Sequence, residues 1–186
     1  GAAGTAAWAS APSMNTTRSG AGAGGTVTAA ICVGGAGPAP TADEDNTESY
    51  NGTAWSQTGN SINQSRSYIN QTGTATAALQ FGGGQVMTES YNGSAWTDTG
   101  NDMNTGRFGG ASGGGPGGQT ASVLGGGYTT TYVNNTETYN GSTWTEVNNM
   151  NTAKTYMGWA SGSPSTDAIA FGGEPPGAGF SDETEL

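Results

Sequence analysis

Apolar positions along the chain fall into short runs that return at a regular interval. Four runs of small apolar residues lead into a glycine doublet: TAAICVGG at 28–35, TAALQFGG at 76–83, TASVLGGG at 120–127 and DAIAFGG at 167–173. After a variable loop comes Thr-Glu-x-Tyr-Asn-Gly, at 47–52, 88–93 and 136–141, with a shortened TEL at 184–186. A tryptophan follows, and Trp8, Trp55, Trp96 and Trp144 mark the period with spacings of 47, 41 and 48 residues. Apolar runs of this length bounded by glycine predict buried strands. Asn-Gly between the Thr-Glu-x-Tyr and Trp segments predicts tight two-residue hairpins, because both residues tolerate positive φ. No window carries a helical stripe of apolar residues, so the pattern predicts four short strands per unit and almost no helix.

The polar positions repeat in the same register. Arg18, Arg66, Arg107 and Lys154 are the four basic residues of the chain. Each stands four residues after Met14, Ile62, Met103 or Met150, in a Met-Asn-Thr-x-Arg turn. Glu48, Glu89, Glu137 and Glu185 recur in step with them. Cations confined to one repeat position serve the architecture, and they are expected to bridge units by pairing with the glutamates and with free carbonyls near a central channel. An Arg fork suits a carboxylate bidentately, whereas Lys154 offers a point charge. The alternative is a ring of cations that grips an anion. The tryptophans are expected between adjacent sheets, each indole N–H needing an acceptor. Trp159 falls outside the register and is a candidate for surface contact.

A four-stranded unit of about 40–50 residues cannot bury a face alone, which points to stacked sheets in a β-propeller. The spaced pattern of Gly-Gly, Tyr, Trp and Met-x-x-x-Arg resembles the kelch repeat over the whole chain. The resemblance implies an all-β, kelch-like β-propeller, here of four four-stranded blades where the family's rings usually have six or seven. The chain is expected to be a single domain, 1–186, with repeat units 1–52, 53–93, 94–141 and 142–186. The N-terminal strand around Thr5–Ala9 is expected to complete the last blade, whose final strand is Thr184–Leu186. Closure would hide sheet edges that otherwise invite pairing. The alternative is a segment of a larger ring or fibre.

Composition narrows the chemistry. Fourteen acidic residues against four basic ones give a net charge of −10. Phosphate binding needs clustered cations, so nucleic acid is not an expected partner. No run approaches the length of a membrane span. The chain has no histidine and one cysteine. The usual general base and commonest metal ligand are therefore missing, and no enzyme, cofactor or metal site is expected. Cys32 lies in an apolar run and reads as core. The acidic groups Asp43-Glu44-Asp45 and Asp182-Glu183 with Glu185 are either solvated loop charge or calcium ligands without a known loop spacing. The glycine-rich stretch 109–118 lacks the Lys-Ser/Thr of a phosphate loop and reads as a flexible connection. Seven Asn-x-Ser/Thr sequons, at Asn15, Asn51, Asn63, Asn70, Asn92, Asn134 and Asn140, read as a by-product of composition.

Loops 36–46, 109–118, 128–135 and 174–183 vary between units, and variable loops on a constant frame suit a recognition surface. The phrasing SYNGTAWSQTGN and MNTGR resembles kelch-like proteins of marine tailed bacteriophages. That resemblance implies a non-enzymatic virion component outside the replication machinery: a tail fibre, a host-recognition appendage or a capsid decoration. Its location would be virion or extracellular, its partners other virion proteins or a host-surface glycan, with oligomers open. The alternative is a secreted carbohydrate-binding or protein-interaction propeller. Tyr128, Tyr132, Trp159 and Phe180 are the candidates for surface binding.

Overall fold

The computed structural model describes residues 10–38, 42–114, 117–161, 168–177 and 179–186. The described residues form four antiparallel sheets, each following chain order. The first contains β1 (Gly22–Thr26), β2 (Ala29–Val33), β3 (Asn46–Tyr50) and β4 (Trp55–Ser61). The second contains β5 (Ile69–Gly73), β6 (Ala78–Gly82), β7 (Glu89–Tyr91) and β8 (Trp96–Asp98). In the third are β9 (Ala111–Gly113), β10 (Ser122–Gly125), β11 (Thr136–Tyr139) and β12 (Trp144–Val147). The fourth has three described strands, β13 (Gly158–Ser161), β14 (Ala168–Phe171) and β15 (Thr184–Glu185). Helix is almost absent among the described residues. The expected closing strand around Thr5–Ala9, with Trp8, lies outside them.

Apolar runs before the glycine doublets supply the second strand of each sheet, the Thr-Glu segments the third and the Trp segments the fourth. First strands come from the small-residue stretches after each cation. The stretch 109–118 departs from the expected flexible connection in its described part, where residues 111–113 form β9, while 115–116 lie outside the described residues. Its far end is also fixed: Gly118 O accepts bonds from Ser122 Oγ at 2.6 Å and Thr72 Oγ1 at 3.3 Å. A Cβ on Gly118 would stand 2.5 Å from Thr72 Cβ, so the absence of a side chain permits this approach.

The Asn-Gly turns also differ from the predicted two-residue hairpins. Between β3 and β4 the connection runs from 51 to 54, and Asn51 Oδ1 accepts the N–H groups of Thr53 and Ala54, both at 2.9 Å. Asn92 and Asn140 cap their turns in the same way. Only the glycine takes positive φ, at 90°, 91° and 92° in Gly52, Gly93 and Gly141. The Asn side chain thus replaces the backbone bond a shorter turn would make. Each turn brings a tyrosine opposite a tryptophan: Tyr50–Trp55, Tyr91–Trp96 and Tyr139–Trp144 have centroids 5.2, 4.9 and 5.2 Å apart.

Tryptophans join neighbouring sheets. Trp96 packs with Ile31, Val33, Ile62 and Ile69 between the first and second sheets. Its Nε1 donates to Thr47 Oγ1 at 2.9 Å. Trp144 repeats the arrangement with Leu79, Phe81, Met103 and Leu124, donating to Thr88 Oγ1 at 2.9 Å. Buried aromatic surface and a satisfied indole N–H come from one side chain. Cys32 is buried and unpaired by disulfide, and burial pushes its thiol pKa up.

Candidate functional site

Three of the four units are each fastened by one buried glutamate: Glu48, Glu89 and Glu137. Glu89 is sealed from solvent. Its Oε1 accepts the Asn63 backbone N–H at 2.8 Å and the Asn63 amide at 2.6 Å. Oε2 accepts Arg66 Nη2 at 2.6 Å and the Gln80 amide. Glu137 takes Asn104, Thr105 and Arg107 in the same way. Glu48 takes Asn15, Thr16 and Arg18. Burial alone would raise the Glu48 carboxyl, but these donors outweigh it and hold its pKa below the ordinary value. The Asn of Met-Asn-Thr-x-Arg is therefore a carboxylate clamp, which explains Asn15 and Asn63 beyond composition.

The arginine fork also closes the carbonyl ends of two strands. Nη1 of Arg66 donates to Gly82 O and Met87 O at 3.2 and 2.9 Å. Arg18 reaches Gly34 O and Asn46 O, and Arg107 reaches Gly126 O and Asn135 O. All these side-chain partners belong to the sheet that follows the cation. The link to the preceding sheet is made by the cation's own carbonyl, which accepts Gly35 N–H at Arg66, Gly84 N–H at Arg107 and Gly127 N–H at Lys154. Side chain and backbone of one residue thus address two sheets. Burial lowers the Arg66 pKa, against the stabilising pull of Glu89.

Lys154 is looser. Its Nζ lies 3.1 Å from Glu183 and 3.4 Å from Glu185. Glu183, which the repeat did not single out, is half in water, and its bond from Lys154 lowers its pKa. Among the described residues no three Asp, Glu, Cys or His side chains converge as metal ligands. No described helix is long and apolar enough to cross a membrane.

The second position after each cation forms a different constellation. Gly20, Tyr68, Gly109 and Tyr156 all have positive φ, at 61°, 53°, 60° and 54°. This conformation costs an L-residue about 1–2 kcal/mol. Glycine relieves the cost at two positions, and tyrosine keeps it at the other two. Cβ atoms on Gly20 and Gly109 would come within 3.2 Å of the Tyr68 and Tyr156 rings. The two rings meet with centroids 6.3 Å apart, and their residues are 44% and 61% exposed.

Phe108 and Tyr128, both exposed, are bridged through their backbones, and Phe108 precedes Gly109, whose carbonyl accepts the Tyr156 N–H at 2.9 Å. Tyr132 packs edge-on to Tyr128 at 5.5 Å and donates its hydroxyl to Glu174 at 3.4 Å. Desolvation, then Glu174, raises the Tyr132 pKa. The structure thus joins Tyr128 and Tyr132 to three aromatics that loop variability did not flag. Alternation of Gly and Tyr two residues after the cation was the available signal. Phe180 is almost fully exposed, and among the described residues no aromatic contact joins it to this group.

A cavity of about 420 Å³ is bordered by β1, β5, β9 and β13, including Ala23, Gln71, Ser112 and Trp159. Trp159 is half-buried in β13, and its indole N–H has no partner, as have both amide atoms of Gln71. Comparison with protein-family models and with curated proteins finds no match.

Proposed function

We infer that the chain is a non-enzymatic adhesive scaffold: four sheets closed as a kelch-like propeller, docking through the aromatic end around Tyr68 and Tyr156. The carrying observation is that two exposed tyrosines hold a costly left-handed backbone where their repeat equivalents are glycine. Strained backbone positions persist only where the surroundings over-determine them, and they cluster at ligand clamps and switch regions. Propeller closure draws support from the cavity shared by all four first strands. It draws more from a slot of about 580 Å³ between the third and fourth sheets, bordered by Val123, Thr136, Ala168 and Ala170. Thr136 is the repeat equivalent of Thr47 and Thr88, which accept tryptophan N–H bonds. In the repeat register, Trp8 is the tryptophan of the unit that would follow the fourth.

The setting, a structural component of a tailed-phage virion, rests on the resemblance of the repeat phrasing alone. Partners would be another virion protein or a host surface. The alternative of a secreted, sugar-binding propeller has the uncharged cavity and the unpartnered Gln71 amide in its favour.

Replacing both Tyr68 and Tyr156 by glycine tests the docking end. The backbone already accommodates glycine at Gly20 and Gly109, so this variant should melt at or above the parent temperature. Labelled parent chain should be retained saturably on bacterial cells or on tailed-phage particles, and the variant should not. Retention on neither, or retention unchanged by the substitutions, would contradict the reading.

A further inference from the structure

The distribution of charge selects the kind of partner this aromatic end accepts. Every basic side chain of the protein is taken up internally: Arg18 by Glu48, Arg66 by Glu89, Arg107 by Glu137 and Lys154 by Glu183 and Glu185. The four cationic side chains have relative exposures of 0–2%. The net charge of −10 is therefore expressed outward through carboxylates, with no cation left at the surface to offset it. A surface of one sign steers partners of the other.

At the aromatic end this field meets faces of tyrosine and phenylalanine. Tyr68, Phe108, Tyr128 and Tyr156 are each 39–61% exposed. Glu174 sits at the edge of the group, in bond contact with Tyr132. Aromatic faces carry negative potential and attract a Lys ammonium or Arg guanidinium placed over them. An adjacent carboxylate adds to that attraction. An anionic sugar or a phosphate would meet repulsion from the same groups, and no donor side chain among those named carries positive charge.

We propose that the aromatic end binds a basic segment of a partner protein, seating an Arg or Lys side chain against Tyr68 and Tyr156 beside Glu174. This rests on the docking reading above and names its partner as protein rather than glycan. It also gives the strained tyrosines a purpose: their rings meet edge-on over a pair of glycines and both residues remain exposed.

The test uses the full chain and three probes: tetra-arginine peptide, tetra-glutamate peptide and neutral maltotriose. Binding is followed by NMR shifts of the tyrosine ring protons. Tetra-arginine should bind saturably, more weakly as salt rises, and Tyr156→Gly should weaken it about tenfold, as loss of an interface aromatic does. Glu174→Gln should weaken it by a smaller factor, with the melting temperature of both variants preserved. Tetra-glutamate and maltotriose should leave the ring protons unmoved.

Saturable maltotriose binding without tetra-arginine binding would overturn the basic-protein partner while leaving a docking end in place. Tetra-arginine binding that Tyr156→Gly leaves intact would overturn the site. If the glycine variants also kept their cell or particle retention, the docking reading itself would fall.

Discussion

The second and fourth sheets are built on the same unit and are held very differently. In the second, Arg66 spends its fork on Gly82 O, Met87 O and Glu89, all inside the protein. Lys154 of the fourth reaches two carboxylates, one of them 54% exposed, and makes no bond to the carbonyls that arginine closes in the other sheets. The apolar side shows the same contrast. Phe81, just before the glycine doublet of the second sheet, is fully buried, whereas its counterpart Phe171 is 44% exposed. A guanidinium can serve two carbonyls and a carboxylate at once, and an ammonium on a flexible stem cannot hold that geometry. The difference teaches that the strength of a repeat resides in simultaneous satisfaction of groups, not in the presence of an ion pair.

The largest effect expected from that contrast is at Glu89. Glu89→Ala leaves the buried Arg66 guanidinium uncompensated and should cost about 3–5 kcal/mol, read by urea unfolding. Glu183→Ala should leave the unfolding midpoint nearly unchanged, because water already screens its bond to Lys154. Equal effects would dissolve the distinction between the two locks.

Next in size is the seam between the second and third sheets. Thr88→Val removes the acceptor of Trp144 Nε1 at constant shape and should destabilise by about 1–3 kcal/mol, the cost of an orphaned buried donor. A smaller change in the opposite direction should come from Lys154→Arg. If the fork reaches the carbonyls of Gly172 and Glu183, stability should rise by about 1 kcal/mol. A fall would mean that the fourth sheet is shaped around lysine.

Acid should separate the locks too. The Glu48 carboxyl is depressed when folded, so its contribution is complete above the unfolded glutamate value of about 4.3. It is lost as pH falls through the lower folded value. Glu183 is depressed as well, but by an exposed contact. Glu48→Gln should flatten the acid limb of the stability curve measurably, and Glu183→Gln should barely alter it.

Much of the frame was legible because its chemistry repeats. Arg66 and Glu89 recur with their equivalents at fixed spacing, and the Thr-Glu-x-Tyr and Trp segments alternate as strands do. The first strands were harder: β9 is written in glycine, alanine and serine, which carry no hydrophobic period and resemble a linker. Asn51 and Asn63 share a residue type and a sequon, yet one caps a turn and the other clamps a carboxylate. Only the third dimension separates those roles. Tyr68 and Tyr156 escaped because an exposed residue, unlike a core residue, need not obey the repeat. Glu183 reads in the sequence only as loop charge or a calcium ligand, and its pairing with Lys154 is hidden because it stands two positions before the glutamate that keeps the register.

Whether the first and fourth sheets are neighbours is the claim on which the scaffold depends. Pulsed electron resonance between two spin labels tests it most directly, with Cys32 replaced by alanine and labels on exposed positions. One pair would be Ser56 and Asp182, on the first and fourth sheets. The reference pair would be Thr145 and Val86, their repeat equivalents on the third and second sheets, which share the Trp144–Thr88 seam. Closure predicts the same distance for both pairs. A clearly longer Ser56–Asp182 distance would contradict it and leave four sheets in an open array.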